Sequence, residues 1–385
     1  MSGELVERVR LRLASAGSAP DTAAVADAVR AEAGGAIGHV DLLRALRSLR
    51  HEFIGAGVLE PLLEDPDTTD VLVTKPGEVW TDGPDGLRLS DVVFEDEAAV
   101  RRLAQRLALL AGRRLDDAQP YVDGWLPGTG PHGRVRLHAV LPPIAADGTC
   151  LSLRVLRPAS HDLATLCSLG TFDAEGKELL QAIIAARLAF LVTGSTGSGK
   201  STLLAAMLGA VARSERIVCV EDAAELQPAH PQFVRLIARP PNIEGVGEVT
   251  LRELVRQALR MRPDRLVVGE VRGQEAVDLL NALNTGHDGG ACTLHANSPL
   301  EVPARMEALA ALGGLARAAL HSQLGAAVRV VLHMRRIPGR GRRLDEIGVV
   351  RLGGSGVRVC RVWHGGRWTE HRPVLTGLLT GASPW

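Results

Sequence analysis

Gly194-Ser195-Thr196-Gly197-Ser198-Gly199-Lys200-Ser201 is the stretch on which the reading of this chain turns. It fits the pattern G-x-x-x-x-G-K-[ST]. In 385 residues with 42 glycines and three lysines, about 0.004 accidental matches are expected. The apolar run Leu188-Ala-Phe-Leu-Val-Thr193 predicts a strand entering the loop, and Thr202-Leu-Leu-Ala-Ala-Met-Leu208 a helix leaving it. Glycines 194, 197 and 199 let the backbone curl without Cβ clashes. The curl and the helix N-terminus then aim amide dipoles at an anion. Lys200 reaches β- and γ-phosphates, and the Ser201 hydroxyl ligates Mg²⁺. Ser195, Thr196, Ser198 and Thr202 complete the set expected to hold ATP. The alternative is a glycine-rich turn that only caps a helix.

Outward from the loop, strand-like and helical runs alternate. Leu188–Thr193, Arg216–Glu221, Asp264–Gly269 and Gly290–Ala296 predict strands; Lys200–Ala212, Leu251–Met261 and Gln274–Leu283 predict helices. This texture implies an α/β domain, a mainly parallel sheet with helices on both faces. Such sheets bind ligands at the carboxyl ends of their strands. Arg265-Leu-Val-Val-Gly-Glu270 is an apolar strand ending in an acid, placed to hold a metal-bound water or polarise the attacking one. Glu221-Asp222-Ala-Ala-Glu225 follows another strand. Gly286-His287-Asp288-Gly289-Gly290-Ala-Cys-Thr-Leu-His295-Ala-Asn297 puts two histidines around a third. Lone histidines are usually structural; four strand ends meeting at one phosphate loop alter that balance.

Residues 1–50 predict short amphipathic helices, with leucines 42, 43, 46 and 49 in helical spacing. Residues 51–157 predict a smaller α+β domain, with strands at Asp70–Thr74, Glu78–Thr81, Gly133–Leu141 and Cys150–Leu156 and a helix at Glu97–Leu110. Residues 158–170 predict a linker. Residues 171–385 form the α/β domain, closed by a hairpin, Gly356–His364 and Arg367–Arg372, around Gly365-Gly366.

Composition bounds the function. Lys+Arg and Asp+Glu are both 44, and aromatics are 3%, so neither bulk electrostatics nor base stacking favours a nucleic-acid partner. Five scattered cysteines make neither a disulfide framework nor a zinc site and suit a reducing compartment. The first residues lack the apolar core of a signal peptide. Leu179–Val192, the longest apolar stretch, is broken by Gln181 and Arg187 and too short to span a bilayer. The expectation is a cytoplasmic protein.

Four segments in this order carry a family resemblance: Gly194–Thr202, Glu221–Glu225, Leu259-Arg-Met-Arg-Pro-Asp-Arg-Leu-Val-Val-Gly-Glu-Val-Arg272 and Gly286–Pro299. They resemble the phosphate loop, acidic box, second nucleotide motif and histidine box of the type II/type IV secretion and pilus-assembly ATPases, most of all the Tad/Flp branch. The resemblance covers about residues 50–335. It implies a RecA-like nucleotide domain behind a smaller N-terminal domain, assembled as a hexamer. It further implies hydrolysis of ATP to power pilus assembly or protein secretion against an inner-membrane platform protein. Glu270 would be the principal acid, with Glu221 and Glu225 assisting and His295 sensing the γ-phosphate.

Leu59-Glu-Pro-Leu-Leu-Glu-Asp-Pro66, Gly112-Arg-Arg-Leu-Asp116 and Gln119-Pro120 resemble landmarks of the family's N-terminal domain. Arg136-Leu-His-Ala-Val-Leu-Pro-Pro143 and Ser152-Leu-Arg154 resemble the segments that carry arginines to the nucleotide, so Arg136 and Arg154 join the catalytic set. Pro127–Arg134 departs from the family's Asp-Gly-Ser-Arg and leaves the choice between Arg134 and Arg136 open. Val73-Thr74-Lys75 stands where the family has Val-Asn-Gly. Arg252, Arg256 and Arg260 form a stripe, either a solvated face or a row meeting nucleotide or a neighbouring subunit. Two other readings use the same core: a nucleic-acid translocase or conjugative DNA-transfer motor, and a nucleotide switch with little turnover.

Overall fold

The computed structural model describes residues 55–126, 134–156, 161–242, 245–337, 339, 341–354 and 356–381. Of residues 1–50 it describes 8, 9, 12, 27, 28, 31 and 32, all helical. The Asp41–Arg50 stripe lies outside the described residues. Contacts divide the chain into two compact units, Met1–Arg157 and Pro158–Trp385.

In the first unit a short helix α1 (Glu60–Glu64) precedes strands β1 (Asp70–Lys75), β2 (Glu78–Asp82) and β3 (Arg88–Leu89). Helix α2 (Glu97–Leu110) follows, then β4 (Tyr121–Leu126), β5 (Arg134–Val140) and β6 (Cys150–Leu156). The six strands form one antiparallel sheet, ordered β3-β2-β1-β6-β5-β4. Strict alternation makes it one-sided. Val135, Leu137 and Ala139 of β5 and Leu151, Leu153 and Val155 of β6 share a core with Val100, Leu103, Ala104, Leu107 and Ala108 of α2. The Asp96 carboxylate accepts from Ala99 N at 2.7 Å and caps α2. Glu97 accepts from Thr149 N (2.8 Å) and Oγ1 (2.6 Å), tying the loop before β6 to the same helix end. Arginines 134, 136 and 154 occupy the alternate positions, away from this core.

The second unit runs α3 (Leu163–Ser168), α4 (Ala174–Ala185), β7 (Phe190–Thr193), α5 (Lys200–Gly209), β8 (Ile217–Glu221), β9 (Phe233–Ile237) and α6 (Leu251–Ala258). It continues with β10 (Arg265–Val271), α7 (Glu275–Leu283), β11 (Ala291–Leu294), α8 (Val302–Leu312), α9 (Arg317–Ala327) and β12 (Val330–Ile337). The last elements are β13 (Gly341–Gly353), β14 (Gly356–His364), β15 (Arg367–Trp368) and α10 (Arg372–Thr380). Nine strands are ordered β15-β14-β13-β12-β7-β11-β10-β8-β9. From β12 to β9 every neighbour is parallel; from β12 to β15 every neighbour is antiparallel.

Both faces of the parallel part are covered, so its strands are continuously apolar rather than alternating. Leu191, Val218, Val220, Leu266, Val268, Cys292 and Leu294 meet α6–α9 on one side. Phe190, Val192, Ile217, Cys219, Val267 and Ala291 meet α3, α4, α5 and α10 on the other. Helix α5 is apolar nearly all round, burying Leu203, Leu204, Ala205, Ala206, Met207 and Leu208.

Three sequence expectations change. Residues 163–168, expected in a linker, form α3; its Leu163 and Leu166 are buried in this unit's core, and Asp162 caps it by accepting from Thr165 N at 2.7 Å. The terminal hairpin has a return strand of only Arg367–Trp368, and α10 begins at Arg372, where Pro373 favours a first helical turn. Strands β3, β4, β9, β12 and β13 were not anticipated. At the amino end of β10, Arg265 is 1% exposed. Its guanidinium is met by Glu215 (2.8 and 3.2 Å), Ile184 O (2.9 Å) and Gly289 O (3.3 Å). That arginine of the second motif is a structural anchor, at the sheet end away from the loop.

Candidate nucleotide site

The loop between β7 and α5 takes its shape from three glycines at positive φ: Gly194 (φ 144°), Gly197 (φ 71°) and Gly199 (φ 95°). Gly194 has no alternative. A Cβ there would lie 2.3 Å from Met334 O and 2.6 Å from Ser198 Oγ. Ser195, Thr196 and Gly197 form the exposed crest, while Ser198 is buried and donates to Ser195 O at 2.8 Å. Lys200 is 8% exposed, and its ammonium donates to Gly194 O (3.1 Å) and Ser195 O (2.9 Å). Burial pushes its pKa down; the Glu270 and Glu225 carboxylates oppose that shift and Arg272 adds to it. Ser201 Oγ donates to Glu225 Oε2 at 3.3 Å. Thr202 follows Ser201 in the first turn of α5.

Strands β7, β11, β10 and β8 are consecutive in the sheet, and their ends carry the predicted acids and histidine. Glu221 closes β8 and is 4% exposed. One oxygen accepts from the backbone N–H groups of Glu225 (3.2 Å) and Leu226 (3.0 Å). The other has no hydrogen-bond donor, with Arg235 Nε 3.7 Å away. A Cβ on Gly269 would sit 2.7 Å from Glu221 Cγ. Glycine before Glu270 is therefore required by the neighbouring strand's carboxylate. Sequence reading missed this link, which only strand order reveals.

Glu270 Oε2 accepts from Arg272 Nε at 2.6 Å. His295 Nε2 lies 2.5 Å from Glu270 Oε1, but off the hydrogen-bond direction, so that oxygen has no proper donor. Burial lowers the His295 pKa and Lys200 lowers it further, while Glu270 opposes. The shift favours the neutral imidazole. Thr293 Oγ1 donates to Gly269 O at 2.6 Å and fixes the peptide before Glu270. Arg272, which also lies 3.9 Å from Asp222, and Thr293 join the site as residues that sequence reading did not single out.

Burial raises the Glu221 pKa from 4.5 to about 7, outweighing its backbone donors and Arg235. The folded state thus favours the protonated acid. That stabilising preference is full below pH 4.5 and is lost as pH rises through 7. Glu221→Gln is expected to leave the melting temperature near the parent's at pH 5 and raise it at pH 8. Equal melting shifts at both pH values would refute the buried-acid account.

The structure brings residues 194–202, Glu221, Glu225, Glu270 and His295 together. Arg136 and Arg154 belong to the other unit, opposite each other in the β5–β6 register. Arg136 grips Asp123 with Nε (2.9 Å) and Nη2 (2.6 Å). Arg154 Nε donates to Asp70 at 2.8 Å. Arg134 and Arg136 flank the Trp125 ring at 5.2 and 5.9 Å. In the arginine stripe, Arg252 and Arg256 both bond Asp278, at 2.8 and 2.9 Å, and Arg260 donates to Gln257 at 3.2 Å. The first two tie α6 to α7.

The residues present suit both expected ligands. Glycine curl and Lys200 fit a polyphosphate. Ser201, Glu225 and Glu270 offer only oxygen donors, the ligand type a hard cation takes.

The sequence model described as type II/IV secretion system protein matches residues 52–343. The chain belongs to that family. This secretion-family protein is 66% identical over 345 residues to a putative conjugal transfer protein of Mycobacterium tuberculosis strain H37Rv, covering 89% of this chain and 98% of the relative. It is 33% identical over 265 residues to the type IV secretion system protein PtlH of Bordetella pertussis, covering 62% and 76%. Its fold is similar to the crystal structure of the pilus retraction motor PilT with bound ADP, with TM-score 0.54, 20% identity, and coverage of 84% and 86%. Among the described residues, no helix is long and apolar enough to cross a membrane.

Proposed function

We propose that this chain is a Mg²⁺-dependent ATPase, working as a homo-hexamer in the cytoplasm, that powers assembly of a Tad/Flp-like pilus or type II/IV secretion. It would act against a platform protein of the inner membrane. One observation carries the reading: a glycine-curled loop with a buried lysine lies beside carboxylates at the ends of adjacent parallel strands. Lys200 exchanges its two loop carbonyls for β- and γ-phosphate oxygens. Ser201, which now donates to Glu225, would help hold the metal ion together with Glu225 and Glu270. Bound Mg²⁺ would neutralise charge on the β- and γ-oxygens. Glu270 accepts the proton of the attacking water at Oε1, and Arg272 holds its other oxygen. Neutral His295, beside Glu270, reports whether a γ-phosphate is present. Arg136 and Arg154, already preset by Asp123 and Asp70, would bring positive charge from the N-terminal domain of the same or a neighbouring subunit.

A second reading, a conjugative DNA-transfer motor, is favoured by the name of the mycobacterial relative. Phosphate release by the purified chain, with and without Mg²⁺ and DNA, tests both. Expected are Mg²⁺-dependent turnover, a six-chain particle in ATP, and no response to DNA. Absence of any turnover would sink the motor reading; strong DNA stimulation would replace it with the second.

A further inference from the structure

The antiparallel hairpin β12–β13 lies directly behind the phosphate loop, and none of the family's four motifs includes it. It approaches the strand end and loop at Thr193, Gly194, Gly197 and Gly199. Thr193 Oγ1, just before the loop, meets His333 Nδ1 at 3.0 Å. Met334 O fills the space a Gly194 Cβ would need. A Cβ on Gly199 would lie 3.1 Å from Arg342 Cδ and 3.4 Å from the Met334 methyl. Arg342 Nε donates to Gly197 O at 2.9 Å.

The arginine is held there against charge repulsion. In the β12–β13 register Arg336 faces Arg342 and Arg335 faces Arg343, two like-charged cross-strand pairs that destabilise a ladder. Arg335 is offset by Asp345 at 3.5 Å. Arg342 turns instead to a backbone carbonyl on the exposed crest. That crest has few other restraints. A side chain at Gly197 would meet nothing within 4 Å, and the Lys200 bonds to Gly194 O and Ser195 O are those it surrenders on engaging phosphate. The Arg342 tie is made to a different carbonyl, Gly197 O, and so does not compete with that exchange.

We propose that Arg342 is a positioning residue for nucleotide binding, holding the phosphate loop in its phosphate-ready curl through the Gly197 carbonyl. This rests on the nucleotide reading of the loop. Preorganisation of this kind lowers the ordering cost of binding. Its loss weakens ground and transition states alike, so KM rises while kcat stays.

The test combines titration with a fluorescent ADP analogue and steady-state ATP hydrolysis, on Arg342→Ala, Arg342→Lys and Lys200→Ala. Arg342→Ala is expected to raise Kd and KM about tenfold, with kcat within about twofold. Arg342→Lys, which restores a donor, recovers most of the affinity. Arg342 is exposed, so folding is not at stake. Unchanged Kd in Arg342→Ala, with binding lost in Lys200→Ala, overturns the inference and leaves the nucleotide site standing. A fall in kcat at constant Kd also overturns it. Binding unmoved by Lys200→Ala would bring down the nucleotide reading, and this inference with it.

Discussion

Lys200→Ala is expected to lose nucleotide binding by about 10²–10⁴-fold and hydrolysis with it. Two charge-assisted bonds to phosphate disappear, each worth about 1.5–3 kcal/mol. The fold should survive. The ammonium is buried, and its partners Gly194 O and Ser195 O are backbone carbonyls beside an exposed crest that water can reach. Arginine does not repair the site, because its planar fork cannot occupy a pocket shaped for a compact ammonium. Only three of the 44 basic residues are lysine, so this position resists a strong compositional preference for arginine. Retained ADP-analogue affinity in Lys200→Ala, with an unchanged melting curve, would refute the loop's assignment.

Glu270→Gln separates chemistry from binding. The amide keeps the shape and can still accept from Arg272, but it cannot take a proton. Hydrolysis is expected to fall about 10²–10⁴-fold while the affinity for ATP stays within about threefold. Single-turnover phosphate release beside an equilibrium titration reads both. Parent-like turnover would move the base to Glu221 or Glu225. Glu221 is a poor candidate, because its carboxylate is spent on the backbone of Glu225 and Leu226 and on filling the space beside Gly269.

The parts legible in sequence are those encoded by local pattern. The phosphate loop is a backbone conformation written in glycines, so its motif carries its geometry. Strands buried on both faces announce themselves as apolar runs, and β7, β8, β10 and β11 were found within a few residues of their ends. Strand β9 escaped because its five residues, Phe233–Ile237, are only half-buried at a sheet edge, with Arg235 at their centre. Helix α3 escaped because six residues give too little periodicity and lie beside a proline-containing segment. Arg342 lies in none of the motifs, and Thr293, inside the histidine segment, has no spacing that marks it. Their contacts depend on which strands become neighbours. The arginine stripe shows the converse: the spacing was real, yet Asp278, a carboxylate on another helix, engages Arg252 and Arg256.

Helix α5 has one more consequence. A helix packed on nearly every side cannot tilt or slide without opening cavities in the core. Phosphate arriving at its N-terminus therefore pushes against something immovable. Information about which nucleotide is bound has to leave sideways, through the exposed crest and the strand-end carboxylates. Amide exchange along α5 would then be among the slowest in the molecule and nearly blind to ligand. The site reports its state through its rim, and its floor stays silent.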